Sequence, residues 1–234
     1  AASRGARAYL AIAGGFQVPE VLGSRSTYIP AGFGGLAGRA VKTGDRLVAS
    51  ADLAQLSAAR FARIVHRRAG VESAGWRSVR WFAPELTLPS GGALALRAME
   101  GRHHAQFDDA SQHAFFNQIW RILPDSNRMG YRLEGPRLTR TSPVEILSEP
   151  TCLGTVQVPN DGVPIALMAD HQTTGGYPKI AEIASADLPA LAQLAPGGSV
   201  RFVRCSLEEA EAARLAADGR IREVVQAIEL TYAR

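Results

Sequence analysis

The chain has 234 residues, 46% of them hydrophobic and 21% charged, with a formal net charge of +4. That is enough apolar material for a sizeable core, in one large domain or two small ones. The charge is too mildly basic for a dedicated nucleic-acid binder, and no apolar run is long enough to span a bilayer.

The first fifteen residues, "AASRGARAYLAIAGG", lack the long apolar stretch of a signal peptide. Two cysteines, Cys152 and Cys205, fit small buried hydrophobes in a reducing compartment. The chain therefore reads as soluble and cytoplasmic, with no membrane and no nucleic acid among its partners.

Residues 1–50 form a glycine-rich, β-rich segment. "ARAYLAIAGG" is short, apolar and closed by two glycines, which predicts a buried strand. "GSRSTYIPAGFGGLAGRAVKTGDRLV" carries turn signals every few residues, and "KTGD" predicts a hairpin turn before "RLV". Its glycines are turn residues, because the spacing does not match a dinucleotide-binding loop. Ser24, Arg25, Ser26 and Thr27 make a small donor cluster in a loop.

Residues 51–80 form a basic connector. "ADLAQLSAARFARIVHRRAG" lacks glycine and proline until its end, and Leu53, Leu56, Phe61, Ile64 and Val65 make a helical stripe. Six arginines between Arg60 and Arg80 face only Glu72, and the run reads as a solvated face.

Residues 81–234 return to strand texture at "GGALALRAME". A helix is predicted over 109–118, with Asp109 as its cap. Next come "WRILPDSNRMGYRLEGPRL", "PVEILSE" and "LGTVQVPNDGVPIALMADHQ", where "NDG" between apolar runs predicts a hairpin. "SADLPALAQL" reads as a short helix with an early proline, and "GGSVRFVRC" as a strand. "SLEEAEAARLAA" opens with Ser206 and Glu209 at capping-box spacing and predicts a helix. "VVQAIELTY" predicts a closing strand. The fold class is mainly β, a barrel or sandwich with a few short helices.

Three constellations carry chemistry. "ADHQTTGGYPKI" places an acid, His171, Gln172, Thr173, Thr174, Gly175, Gly176, Tyr177 and Lys179 in one bend. Paired glycines let backbone N–H groups converge on an anion, and His171 suits proton transfer near neutrality. Asp170 stands beside it as a candidate orienting group. In "SNRMGYRLEG", Arg128 and Arg132 are four apart, a spacing that suits bidentate capture of a carboxylate or phosphate, with Asn127 adding an amide. Ser24, Arg25 and Ser26 are the third. "EGRHHAQFDDASQH" offers metal-type ligands, but adjacent histidines on a strand would face apart, and a structural role is the simpler reading.

Together, "LGSRSTY", "NRMGYRLEG" and "DHQTTGGYPKI", in this order, resemble the KipA family. It is also known as the C subunit of 5-oxoprolinase or the biotin-dependent carboxyltransferase family, and formerly as allophanate hydrolase subunit 2. "VQVPNDGVPIALMAD" and "IASADLPALAQLAPGGSVRF" extend the resemblance from Ala6 to about Ala212. It implies a cyclophilin-like β-barrel and a partner of the KipI type, the B subunit of 5-oxoprolinase. The activity it implies is that of a C–N hydrolase, an ATP-dependent 5-oxoprolinase that opens a small amide or lactam. Two alternatives are a carboxyltransferase moving a carboxyl group from carboxybiotin to urea, and a regulatory protein that binds an inhibitor of a sensor kinase.

On this resemblance His171, Lys179, Thr173 and Thr174 are the catalytic candidates. Asn127, Arg128, Arg132, Gln172, Gly175, Gly176, Tyr177, Ser24, Arg25 and Ser26 are the candidates for substrate binding. Two departures stand out. The family's N-terminal segment is expected ahead of Ala1, and Asn127 replaces the acid that many members carry before "RMG".

Overall fold

The computed structural model describes residues 5–12, 14–50, 72–73, 76–77, 92–142 and 145–232. The chain divides into two compact units, one of Tyr9–Ala83 with Ala227–Arg234, the other of Ala1–Ala8 with Pro84–Gln226.

In the first unit, strands β1 (Thr27–Tyr28) and β2 (Phe33–Gly34) pair antiparallel, as do β3 (Glu72–Ser73) and β4 (Trp76–Arg77). Leu22 and Gly23 both have positive φ, 51° and 75°, and close a tight turn that bridges Val21 to Ser24. A turn forms at "KTGD", but no strands flank it among the described residues, so the expected hairpin is absent. Asp45 accepts from the Lys42 amide at 2.7 Å and from both ends of the Arg39 guanidinium at 2.8 Å. The helix expected after Ser50 lies outside the described residues.

The second unit is a closed barrel. Its strands are β5 (Leu94–Glu100), β6 (Ile119–Ile122), β7 (Gly130–Glu134), β9 (Thr155–Gln157), β10 (Ile165–Leu167), β12 (Lys179–Ile183) and β13 (Ser199–Arg204). They run in the order β10–β7–β6–β13–β5–β12–β9. Only β5 and β13 pair parallel. A two-stranded ribbon of β8 (Glu149–Pro150) and β11 (Thr174–Gly175) completes the unit's described strands.

Alternation explains the barrel's core. Leu94, Leu96 and Ala98 point inward from β5, Trp120 and Ile122 from β6, Tyr131 and Leu133 from β7, and Val200 and Phe202 from β13. Helix α1 (Asp109–Asn117) closes one side, with Phe115 stacked on Phe202 at 4.3 Å and Trp120 Nε1 donating to the Phe115 carbonyl at 3.1 Å. Helix α2 (Leu188–Ala192) adds Leu188 and Leu191, and follows a turn whose Asp187 pairs with Arg97. Helix α3 (Leu207–Tyr232) opens on the expected capping box, with Ser206 Oγ accepting from the Glu209 amide and Glu209 Oε2 from the Ser206 amide. The "NDG" hairpin also forms, joining β9 to β10 through a Pro159–Gly162 turn.

The mainly-β barrel agrees with the sequence reading, but several local expectations fail. Residues 5–12 are not a buried strand. No strand pairs with them among the described residues, and Tyr9 and Leu10 are exposed. "VVQAIELTY" is helical, because nothing in α3 after its cap is strong enough to stop it; Gly219 alone costs about 1 kcal/mol. Asp108, not Asp109, caps α1, accepting from the Ser111 amide at 2.7 Å. In "PVEILSE" the described residues form a strand only at Glu149. The cysteines are free, but Cys152 is exposed and Cys205 half-buried.

Candidate functional site

The outer face of β9 and β12 is the unusual part of the barrel. Val156 and Val158 point into the core, so Thr155 and Gln157 point outward, yet both are about 1% exposed. A register shift between Lys179 and Ala181 brings Lys179 opposite Gln157 and Glu182 opposite Thr155. The result is a polar seam on the wall, covered by the β8–β11 ribbon.

The seam is held by charge and hydrogen bonds. Lys179 Nζ lies 2.9 Å from Glu149 Oε1 and donates to the Pro150 carbonyl. His103 and Lys179 are tied twice: the His103 amide donates to the Lys179 carbonyl at 3.0 Å, and the Lys179 amide to His103 Nδ1 at 3.2 Å. Glu182 accepts from Thr155 Oγ1 at 2.7 Å. The Lys179 hydrogen bond holds the Glu149 carboxyl below the usual carboxylate range, whereas burial pushes Glu182 up. Burial also lowers His103, so its ring is kept neutral, with the proton on Nε2.

The loop from Ala169 to Pro178 crosses from this seam to a cleft of about 720 Å³. Thr174 pairs with Pro150 and Gly175 with Glu149. A Cβ on Gly175 would lie 2.8 Å from Gln157 Nε2, so any larger residue would have to displace the end of that buried amide. The next residues, Gly176, Tyr177 and Pro178, form one wall of the cleft. The "PNDG" turn, from Pro159 to Gly162, forms a second wall, and Arg137 to Arg140 with Glu145 and Ile146 the rest.

Of the predicted site residues, the structure brings only Gly176 and Tyr177 to this cleft. Lys179 is buried in the seam, while Thr173 and Thr174 serve the ribbon; the Thr151 amide donates to the Thr173 carbonyl at 2.9 Å. His171 is half-buried, with Nδ1 2.6 Å from the Gln172 carbonyl and 3.2 Å from Thr151 Oγ1. A carbonyl has no proton to give, so Nδ1 carries the hydrogen. Gln172 Nε2 reaches Gln157 Oε1 at 3.4 Å.

The two arginines do not converge. Arg128 pairs with Asp170 at 3.0 Å. Arg132 lies between Asp125 and Asp161, 3.2 Å from each. Asn127 Oδ1 accepts from the Met129 amide at 2.8 Å and shapes the turn into β7. Ser24, Arg25 and Ser26 belong to the other unit, where Ser24 Oγ accepts from the Ser26 amide at 3.1 Å.

The adjacent histidines sit in a turn, not on a strand, and both are buried. Among the described residues no three metal-type side chains converge on one point. Nor is any helix among them long and apolar enough to cross a membrane.

Sequence reasoning missed Glu149, Arg137 and Arg140, and weighed His103 only as a metal-type ligand. Glu149 and His103 come together only through long-range pairing. The "RLTR" arginines look like ordinary surface residues until the hairpin turn is placed beside them.

The carboxyltransferase domain, subdomain A and B, matches residues 1–204, a span that includes the barrel, the seam and the cleft. The chain is 44% identical to the 5-oxoprolinase C subunit of Escherichia coli over 210 residues, 90% of this chain and 60% of that protein. It is 38% identical to the 5-oxoprolinase C subunit of Haemophilus influenzae, over 86% of this chain and 57% of that one. The chain thus spans about three fifths of the length of these relatives. Among solved structures, Kluyveromyces lactis urea carboxylase superposes with a TM-score of 0.71 at 30% identity, covering 93% of this chain and 20% of that one. This chain belongs to the carboxyltransferase domain family, as a member carrying subdomains A and B.

Proposed function

We propose that the protein is a component of an ATP-dependent 5-oxoprolinase, a C–N hydrolase that opens a small lactam together with a partner of the KipI type. The observation that carries this reading is the 44% identity to the 5-oxoprolinase C subunit over 90% of the chain. The cleft supports it: arginines beside apolar walls suit a compact, acidic, ring-shaped substrate. Gly176 and Tyr177 form the wall that meets the substrate. His171 and Lys179 act here as positioning residues, since neither lines the cleft.

ATP is assigned to the partner. The glycine-rich stretch does not fit it as a phosphate cradle, because a Cβ on Gly34, Gly35 or Gly38 would collide with the loop's own atoms, which makes these glycines turn residues. No step is routed through ATP on this chain.

A second reading is carboxyl transfer from carboxybiotin to urea, favoured by the TM-score of 0.71 with urea carboxylase. The cleft's arginines also suit the carboxylate of a carboxylated ureido ring, which would supply an activated carboxyl group; Arg137 and Arg140 would hold it.

The two readings are separated by assaying the full-length protein with its partner. The first predicts ATP-dependent release of glutamate from 5-oxoproline. Bicarbonate- and biotin-dependent consumption of urea, with no glutamate release, would overturn it.

A further inference from the structure

We infer that the cleft between the Pro159–Gly162 turn and the Gly176–Pro178 segment is a carboxylate subsite, with Arg137 as its cation. The inference rests on the lactam reading and adds which end of the substrate the cleft holds.

The lining carries two arginines and two acids, Asp161 and the exposed Glu145, so hydrogen-bond geometry rather than net charge selects the ligand. Asp161 is already engaged: Oδ2 accepts from Arg132 at 3.2 Å and Oδ1 from the Val163 amide at 3.0 Å. The Arg137 guanidinium donates instead to the Asp161 backbone carbonyl at 2.8 Å. That contact fixes the side chain over the turn without using the carboxylate. Arg140, half-buried, donates to Gln106 Oε1 at 3.3 Å and adds a second guanidinium to the lining. A planar carboxylate is the group that a guanidinium fork binds best, through parallel N–H bonds.

The rest of the lining sets the remainder of the ligand. Leu138, Ile146, Pro159 and Pro178 are apolar and suit a short methylene chain or saturated ring. Tyr177, 46% exposed, supplies an aromatic wall with a hydroxyl. A neutral, fully polar acceptor such as urea would use neither the arginines nor the apolar surface.

The test is calorimetric titration of the full-length protein with its partner, using L-5-oxoproline and 2-pyrrolidone, which has the same ring without the carboxylate. The acid should bind on the order of tenfold or more tightly, as charge-assisted hydrogen bonds predict. Arg137→Gln should remove most of that preference, and Arg137→Lys should restore part of it. Equal affinity for the two rings, or an unchanged preference in Arg137→Gln, would overturn the subsite. So would inorganic phosphate binding as tightly as 5-oxoproline. If 5-oxoproline is turned over with an unchanged KM in Arg137→Gln, the subsite falls and the lactam reading stands. If no lactam is turned over but glutarate binds in an Arg137-dependent way, the reading falls and the subsite stands.

Discussion

Lys179 Nζ lies 2.9 Å from Glu149 Oε1, joining the barrel wall at β12 to the ribbon at β8. The Lys179 side chain is 8% exposed and Glu149 21%. Breaking such a pair from one side leaves a charge with little water to solvate it. Lys179→Met should therefore destabilise the protein by about 2–4 kcal/mol, measured by urea denaturation. Loss of activity without loss of stability would instead place Lys179 on the substrate.

The same pair gives stability a definite pH dependence. Glu149 has a folded pKa below its ordinary value of 4.5, chiefly through its hydrogen bond with Lys179. Its contribution is thus fully present above pH 4.5 and is lost as pH falls through the folded pKa. His103 adds to the acid side. Burial lowers it below 6.5, so its contribution begins to fall once pH drops under that value. Denaturation of wild type and Glu149→Gln from pH 7 to well below pH 4.5 should show curves that keep their separation above pH 4.5 and converge only below it.

Glu182 has the opposite sign. Burial raises its folded pKa above 4.5, so the charged form costs stability at neutral pH and the cost disappears as pH falls. Glu182→Gln should be as stable as wild type or more so at pH 7. That advantage should shrink on acidification. A variant less stable at pH 7 than at pH 4, relative to wild type, would contradict this assignment.

Gly175 and Gly135 are sites of close approach. A Cβ on Gly135 would lie 2.5 Å from the Trp120 ring, and one on Gly175 2.8 Å from Gln157 Nε2. Each alanine variant should cost about 1–3 kcal/mol. Only Gly175→Ala, through its direct link to Gly176 and Tyr177, should also raise KM for the lactam.

Much of this architecture is legible in the sequence because it is local. The Ser206–Glu209 box, the "NDG" hairpin, the alternation of "LALRAME" and the proline near the start of α2 each declare themselves within a few residues. What fails is set by distant partners or by context. "VVQAIELTY" has the β-branched content of a strand, but a capped helix with no proline runs through it. "YLAIA" has the composition of a strand but no paired neighbour among the described residues.

The candidate site divides the same way. The polar density of "DHQTTGGYPKI" falls on a loop whose Gly176–Pro178 end lines a cleft, but most of that density holds the ribbon to the wall. Lys179 reads as a catalytic candidate in a polar loop, because Glu149, its counter-ion, is thirty positions away in a stretch with no motif of its own. Arg128 and Arg132 share a spacing but not a target, since the acids that claim them come from other loops.

The central claim is that the cleft serves an acidic lactam. It is tested most directly by steady-state ATP hydrolysis in the full-length protein with its partner, in the presence of 5-oxoproline, 2-pyrrolidone or urea. The account predicts stimulation by 5-oxoproline alone, with a KM that rises in Arg137→Gln. Equal stimulation by 2-pyrrolidone, or stimulation by urea in place of 5-oxoproline, would contradict it.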